Sequence, residues 1–386
     1  MGVNERIAAI HEEMTAWRRA IHEYPETAFE EHRTSDFVAE KLESFGIEID
    51  RSMAGTGIVG VIKGNQEGDE AIGLRADMDA LNMSEKTNKE YHSKIDGKMH
   101  ACGHDGHTAM LLGAAKYLAE TRAFAGTAYV IFQPAEEGGN GAKVMIDEGL
   151  FEKYPMSQVH GLHNSPGRPL GEVCASPGPM MAACDLFDII VSGVGAHAAS
   201  PQEGTDQIVA GAQLVSQLQT ISSRAVDPMD AIVLSITQFH AGDAYNVIPD
   251  EVRIAGTVRT FNPEVQKLAI EKMSEIVKGI GTANGVEMEL RHNKGCPATV
   301  NWEEETAHAA DVAAKIVGEE KVLRKVKPEM GSEDFSFMLE EKPGSYIFMG
   351  AGDGPGLHNP QYDFNDEMLP IGASYWAALV EETLHR

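Results

Sequence analysis

The sequence has little of what marks secreted, membrane-bound or nucleic-acid-binding proteins. Its 386 residues include only four cysteines, and the absence of a CxxC pair fits a reducing compartment. The 32 basic residues are outnumbered by 59 acidic ones, and a formal charge of -27 repels phosphate backbones and anionic lipids. No apolar run approaches the roughly 20 residues that span a bilayer, and the first residues lack an apolar signal core. We therefore expect a cytoplasmic protein with no nucleic-acid and no membrane partner.

What the sequence does contain is the composition of an ordinary globular protein. The apolar fraction is 42% and the charged fraction is 24%. A domain holds on the order of 100–200 residues, so this length predicts two domains. No internal repeat or low-complexity tract is present, which disfavours a solenoid.

The N-terminal half alternates between helical and strand patterns. Apolar residues from Ile7 to Ile21 recur every three or four positions and predict one helix. Further helices are predicted at residues 35–45 and 105–120, and strands at residues 57–62, 71–76 and 127–132. This alternation predicts an α/β fold in which helices cover a central mixed sheet.

A different order of elements begins near residue 184. It comprises a strand at 185–191, a helix at 206–223, strands at 231–239 and 251–261, a helix at 263–283 and a strand at 286–291. This β-α-β-β-α-β order is the ferredoxin-like pattern. Residues 184–297 are therefore predicted to form a domain inserted into a larger one, which is made of residues 1–183 and 298–386.

Four short motifs carry side chains that bind metals. They are His100-Ala-Cys102-Gly-His104-Asp105-Gly-His107, Gln133-Pro-Ala-Glu136-Glu137-Gly-Gly, His160-Gly-Leu-His163-Asn and Gly356-Leu-His358-Asn359. Loops at the carboxyl ends of strands in an α/β sheet converge on one crevice. We therefore expect these motifs to meet, although they are far apart in the sequence.

The residue types in these motifs indicate a hydrolytic metal site. Imidazole and carboxylate suit Zn, Mn, Co, Ni or Fe, and a thiolate adds softness. Glu136 and Glu137 are neighbours on a predicted loop, so one can bind metal while the other takes a proton from water. A single histidine is more often a packed or surface group, and a Glu-Glu pair is usually solvated. Several such motifs at predicted strand ends are difficult to explain by packing alone.

Longer stretches of the chain resemble the M20 metallopeptidase family. They are HACGHDGHTAMLLGAA, FQPAEEGG, GLHN, GAHAASP and GSEDFS, and they occur in one order along nearly the whole sequence. The resemblance is strongest to the amidohydrolase branch, which includes hippurate hydrolases and auxin-conjugate hydrolases. It implies a catalytic domain with a two-metal site and an inserted ferredoxin-like lid domain that often dimerises.

The resemblance also implies roles for individual residues of the catalytic domain. The implied ligands, which would hold two divalent ions of Mn, Zn, Co or Ni, are Cys102, His104, Glu137, His163 and His358. Glu136 matches the general base that activates water, and Asp79 matches an acid that orients ligands or tunes their basicity. Asp77 stands where other M20 branches have a metal-binding histidine, and its role stays open.

Three residues of the lid are implicated in the same way. His197 matches a residue that stabilises the oxyanion, and Asn246 and Arg259 match lid residues near the substrate. Arg259 is suited to bind a substrate carboxylate in a bidentate fork, although a structural salt bridge is an alternative. In the family the lid histidine can come from the partner subunit. We therefore expect a homodimer in which His197 acts on the site of the other chain.

Together these features predict an enzyme that hydrolyses the amide bond of small N-acyl amino acids, with hippurate-like or N-acetyl substrates. Two alternatives stay open, namely a dipeptidase or aminopeptidase of the same family and a catalytically silent ligand-binding homologue. The presence of Glu136 and Asp79 argues against the silent homologue, because binding alone needs no general base.

Overall fold

The computed structural model describes residues 2–385, which divide into two units. Among these residues, the first unit takes 2–180, 299–327 and 334–385, and the second takes 181–298 and 328–333. No helix in this part of the chain is both long enough and apolar enough to cross a membrane.

Twelve helices and sixteen strands lie within residues 2–385. The helices are α1 (Glu5–Ala8), α2 (His11–His22), α3 (His32–Ser44), α4 (His104–Thr121), α5 (Glu136–Gly139, a single distorted turn), α6 (Gly141–Asp147), α7 (Leu150–Lys153), α8 (Gln207–Thr220), α9 (Pro263–Asn284), α10 (Glu303–Val317), α11 (Ser336–Glu341) and α12 (Leu369–Thr383). The strands are β1 (Glu48–Met53), β2 (Gly57–Lys63), β3 (Gln66–Asp77), β4 (Ala125–Gln133), β5 (Gln158–Ser165), β6 (Val173–Cys174), β7 (Gly178–Met181), β8 (Ala183–Ser192), β9 (Ala196–His197), β10 (Ile232–Ala241), β11 (Val247–Ile248), β12 (Glu251–Thr260), β13 (Glu287–Lys294), β14 (Thr299–Asn301), β15 (Val322–Leu323) and β16 (Gly344–Gly350).

The first unit is built on an eight-stranded mixed sheet, with the strand order β1-β2-β4-β3-β5-β16-β6-β15. Neighbouring strands among β4, β3, β5 and β16 pair in parallel, whereas β1 pairs antiparallel with β2 and β2 with β4. Parallel strands need cover on both faces, and every residue of β16 is accordingly buried. The predicted α/β fold with a mixed central sheet is confirmed.

Helix α4 lies in the core of this unit. Fourteen of its 18 residues are buried, as expected for a helix that is apolar around most of its circumference. Helices α2 and α12 pack closely against it. A Cβ added at Gly113 would lie 2.2 Å from the sulfur of Met14, so the contact with α2 requires a residue without a side chain.

The prediction of one continuous helix from Ile7 to Ile21 is wrong. The chain forms two helices, α1 and α2, and the break falls at Ala9 and Ile10. Asn4 caps the first of them by accepting hydrogen bonds from the backbone N–H groups of Arg6 and Ile7. The apolar stripe continues across the break, because Ile7 and Met14 are both fully buried.

The second unit contains a four-stranded antiparallel sheet with the order β10-β12-β8-β13. Apart from the two-residue strands β9 and β11, its elements follow the order β8-α8-β10-β12-α9-β13. Alternate residues of β8, such as Phe187, Ile189 and Val191, are buried and form a core with side chains of α8 and α9. Strands β9 and β11 pair with each other as a separate short ribbon.

Candidate metal centre

The backbone at the start of α4 brings Cys102 and His104 to the site. Gly103 between them has φ of 97°, a left-handed conformation that glycine adopts without strain. A Cβ at this position would lie 2.5 Å from Asn164 Oδ1 and 2.6 Å from the hydroxyl of Tyr362. The CxH spacing therefore depends on a glycine at position 103.

Two histidines present the same ring nitrogen to this site. His104 Nδ1 donates to the backbone carbonyl of Asp79 at 2.9 Å, and His163 Nδ1 donates to that of Asn164 at 2.7 Å. Because a carbonyl oxygen can only accept, Nε2 of each ring, once neutral, carries the lone pair that a metal needs. His163 Nε2 lies 3.3 Å from Cys102 Sγ, and His104 Nε2 is buried without a hydrogen-bond partner among the described residues.

The loop after β4 carries the two glutamates. Asp79 is buried, and its carboxylate accepts hydrogen bonds from the backbone N–H groups of Glu136 at 3.0 Å and Glu137 at 2.9 Å. Its Oδ1 also lies 3.3 Å from Nδ1 of His104. Asp79 thus holds the glutamate loop and one histidine in a fixed relation.

His358 comes from a loop near the C-terminus. Its backbone N–H donates to the carbonyl of Ala101 at 2.8 Å, and its Nε2 lies 3.1 Å from Glu137 Oε1. Hydrogen bonds with Cys102 and Glu137 raise the pKa of His358 to about 10, whereas burial raises the pKa of the Cys102 thiol. A cation bound by the same atoms would have to displace these protons, as metals do at such ligands.

The potential ligand atoms fall into overlapping groups, each with all atoms within 4.8 Å of one another. Three of the five groups among the described residues are Cys102 with His104 and His163, Cys102 with Glu137 and His358, and His104 with Glu136 and Glu137. The other two are Asp77 with His104 and His107, and Glu136 with Glu333 and Asp334. In the first three groups, one thiol, three imidazoles and carboxylates form a donor set that suits first-row divalent metals. This donor set, which includes His104 Nε2 with no hydrogen-bond partner among the described residues, fits a metal centre. Cys102 belongs to both of the first two groups and would connect them.

Asp77 lies behind this cluster, with both carboxylate oxygens engaged. It accepts from Nδ1 of His107 at 2.6 Å and from Nη1 of Arg75 at 2.7 Å, and all three side chains are buried. His107 Nε2 in turn lies 2.8 Å from Oδ1 of Asn164. Asp77 Oδ2 also lies 3.7 Å from Nε2 of His104, so Asp77 supports His107 and contacts a candidate ligand as well.

A second buried network, which sequence reasoning missed, lies beside the first turn of α4. His22 Nδ1 lies 2.8 Å from Asp105 Oδ2, and Arg18 binds Asp366 and Asp363 at 2.7 and 3.1 Å. Arg18, His22 and Asp105 have no solvent exposure. Arg18 and His22 are about one helical turn apart in the sequence. This spacing alone predicts that both side chains lie on one side of α2.

The three implicated residues of the second unit lie at two different places. His197 in β9 pairs with Val247 in β11, and the carbonyl of Asn246 accepts from the N–H of Ala198 at 3.0 Å. His197 and Asn246 both line a cleft of about 600 Å³ in the ribbon region. Arg259 is near the end of β12, where Thr257 accepts from its Nε at 3.1 Å and Ser332 from its Nη1 at 2.8 Å.

The fold and the site define a metallo-hydrolase that acts on amides, and comparisons with known proteins agree. The model of peptidase family M20/M25/M40 matches residues 73–382. Hippurate hydrolase of Campylobacter jejuni is 44% identical over 380 residues, covering 98% of each chain. IAA-amino acid hydrolase ILR1-like 4 of Arabidopsis thaliana is 39% identical over 381 residues, covering 96% of this chain and 86% of that protein.

A solved structure gives the same result. The Bacillus subtilis YXEP protein, described as a dinuclear metal binding peptidase from the M20 family, superposes with a TM-score of 0.85 at 34% identity. The superposition covers 98% of this chain and 99% of that one. The chain therefore belongs to the M20 peptidase family.

Proposed function

We propose that this enzyme hydrolyses the amide bond of N-acyl amino acids with hippurate-like or N-acetyl acyl groups. The observation that carries the proposal is the cluster of Cys102, His104, Glu137, His163 and His358 with Glu136 at its edge. The similarity to a hippurate hydrolase and to an IAA-amino acid hydrolase supports the same substrate class.

The chemistry divides between the ligands and the neighbouring glutamate. Two divalent ions held by the five ligands would supply Lewis acidity, which polarises an acyl carbonyl and acidifies water. Glu136 takes a proton from the attacking water and later gives one to the leaving amine. The hydrogen bonds from the N–H groups of Glu136 and Glu137 to Asp79 keep the base and the ligand in their separate orientations.

In this proposal, residues 184–297 form an inserted ferredoxin-like lid between the catalytic segments 1–183 and 298–386, and the lid supplies the remaining roles. His197 stabilises the oxyanion of the tetrahedral intermediate, and Asn246 contacts the substrate beside it. Arg259 binds the substrate carboxylate, and its hydrogen bonds to Thr257 and Ser332 support this role because they orient the guanidinium.

The positions of these residues support a homodimer in which His197 and Asn246 serve the site of the partner chain. The β9–β11 ribbon is connected to the end of the sheet at which β8 ends with Ser192 and β12 begins with Glu251. Arg259 lies eight residues further along β12. Eight residues of strand span about 27 Å. Residues at opposite ends of one sheet are too far apart to hold one small substrate, so the ribbon of one chain would have to complete the site of another.

Turnover of a substrate panel tests the proposed activity. The protein is stripped with a chelator and reconstituted separately with Mn²⁺, Zn²⁺, Co²⁺ or Ni²⁺, and N-benzoylglycine and N-acetyl amino acids are compared with unblocked dipeptides. We expect the N-acyl substrates to be hydrolysed and the stripped protein to be inactive. Preference for free dipeptides would favour a dipeptidase or aminopeptidase, and inactivity with every metal and substrate would favour a silent ligand-binding homologue.

Mixing two inactive variants tests the role of the partner chain. Co-expression of His197→Ala and Glu136→Gln chains yields a mixture that contains heterodimers. If His197 acts on the partner, one site of each heterodimer carries both defects and the other carries neither, and activity returns to about a quarter of wild type with random pairing. No recovery, or a monomer by light scattering, would assign His197 to its own chain. The cytoplasmic location stays a prediction from the sequence.

A further inference from the structure

The turn between β4 and α5 has a strained backbone immediately before the glutamate pair. Ala135 has φ of 56°, in the left-handed region where a residue with a Cβ is disfavoured by roughly 1–2 kcal/mol. Such a conformation persists only where surrounding contacts hold it. The residues that hold Ala135 therefore also set the direction in which Glu136 and Glu137 leave the turn.

The side-chain contact that holds the N–H of Ala135 comes from Glu31, while the carbonyl of Ala135 accepts from the N–H of Gly141 at 3.0 Å. The side chain of Glu31 has no solvent exposure, and its Oε1 accepts hydrogen bonds from the N–H of Ala135 at 2.9 Å and of Phe29 at 3.0 Å. Phe29 is also left-handed, with φ of 62°. The other oxygen, Oε2, accepts from the hydroxyl of Thr56 at 2.7 Å.

Glu31 and Asp79 together bind three consecutive backbone N–H groups. The carboxylate of Glu31 accepts a hydrogen bond from the N–H of residue 135, and that of Asp79 accepts hydrogen bonds from the N–H groups of residues 136 and 137. Buried N–H groups need such partners, and hydrogen bonds to a charged acceptor are stronger than neutral ones. The loop that carries the base and one ligand is thus held from two sides by two buried carboxylates.

We propose that Glu31 is a positioning residue of the metal centre, which acts by holding Ala135 in the left-handed conformation. The proposal rests on the proposed function for the roles of Glu136 and Glu137. Without Glu31 the turn relaxes, Glu137 moves away from the other ligands, and Glu136 no longer faces the water. The expected losses are about 10–100-fold in metal affinity and in kcat, the range seen for residues that support metal ligands.

The test uses Glu31→Leu, which keeps the bulk of the side chain and removes both acceptors. Co²⁺ titration into the apo-protein, followed by its visible absorption, reports metal affinity, and kcat for N-benzoylglycine is measured at saturating Co²⁺. The same measurements are made on Glu31→Leu combined with Ala135→Gly. Because glycine adopts positive φ without strain, the second substitution should restore at least part of both losses.

A matched control exists elsewhere in the same unit. Ala54 is also left-handed, with φ of 46°, and its N–H donates to Glu148 Oε2 at 2.5 Å. Glu148→Leu removes a carboxylate from a left-handed alanine outside the metal centre. It should lower stability and leave Co²⁺ affinity and kcat within about twofold of wild type, in contrast to substitutions that disturb metal-supporting residues.

Two outcomes would overturn the proposal. One is a folded Glu31→Leu protein with Co²⁺ affinity and kcat within about threefold of wild type, well short of the expected loss. The other is a loss that Ala135→Gly does not reduce.

If Glu31→Leu does not fold, Glu31→Asp serves the same test, because it keeps the charge and withdraws the carboxylate from residue 135. A wild-type protein that binds Co²⁺ but hydrolyses nothing would refute the proposed function, while the Co²⁺ titrations would still decide the role of Glu31.

Discussion

Protonated His22 should stabilise the first unit strongly near neutral pH and lose that effect in alkaline solution. The ring is fully buried, with Asp105 Oδ2 2.8 Å from Nδ1 and Glu85 Oε2 3.4 Å from Nε2. Burial and the nearby charge of Arg18 lower its pKa, but the charge and hydrogen bond of Asp105 outweigh them. The net effect raises the pKa of His22 from 6.5 to about 9. The same ion pair holds the pKa of Asp105 well below its usual range despite burial.

The size of the effect follows from the two pKa values of His22. Each pH unit between the unfolded and folded pKa is worth about 1.36 kcal/mol, so the rise from 6.5 to about 9 corresponds to at most about 3 kcal/mol. The folded pKa is the higher one, so the stabilisation is complete below pH 6.5. It falls progressively as the pH rises, and it is lost above about pH 9.

Denaturant unfolding of wild type and His22→Gln at several pH values measures this effect. All three tryptophans, Trp17, Trp302 and Trp376, belong to the first unit, so their fluorescence reports its unfolding. In the presence of a chelator, the difference in unfolding free energy should shrink by about 3 kcal/mol between about pH 6 and 9.5.

His160→Gln is the control for this experiment. His160 is a buried histidine of the same unit, and burial lowers its pKa to about 3. It is therefore neutral in the folded protein throughout this range, and its substitution should have nearly the same effect at every pH above 7. A constant difference between wild type and His22→Gln from pH 6 to 9.5 would show that the pKa of His22 does not rise on folding, and would refute the reasoning.

Three further predictions concern the site itself. Glu136→Gln should keep its metal content and lose about 10²–10⁴-fold in kcat, and near-normal turnover of the fully metallated variant would remove Glu136 as the base. Cys102 should react with thiol reagents readily in the apo-protein and slowly after metal binding, as mass spectrometry of the labelled peptide can show; equal rates would count against ligation. Arg259→Lys should raise KM about 10–100-fold for N-acyl amino acids and change it little for the corresponding amides, which lack the carboxylate. An equal increase for acids and amides would contradict the carboxylate role.

The sequence predicted the α/β fold because periodicity and strand-end motifs are local signals. The predicted strand at residues 127–132 lies within β4, and the helix at 105–120 lies within α4. Parallel pairing then brings Asp77 opposite Gln133 and Phe348 opposite His163, at neighbouring strand ends. This is why motifs from distant parts of the chain form one cluster.

The break between α1 and α2 and the role of Glu31 were not predictable in the same way. Apolar residues recur with the same helical period on both sides of Ala9 and Ile10, so the pattern gives no sign of the break. Glu30 and Glu31 form an adjacent acidic pair, which in a sequence is typical of a solvated surface. Only the fold brings the N–H of residue 135 to the carboxylate of Glu31, 104 residues earlier.

Asp77, which the resemblance places where other M20 branches have a metal-binding histidine, makes hydrogen bonds that would support the neighbouring ligands. Both of its oxygens are already bound, one by Arg75 and the other by His107. His107 Nε2 lies 2.8 Å from Oδ1 of Asn164 and 3.1 Å from its backbone nitrogen, and the carbonyl of Asn164 fixes the ring of His163. Asp77 Oδ2 also lies 3.7 Å from Nε2 of His104, so the carboxylate contacts the candidate centre directly as well as through these hydrogen bonds. In the proposed centre, Cys102 would contribute a thiolate in place of the imidazole that the other branches use.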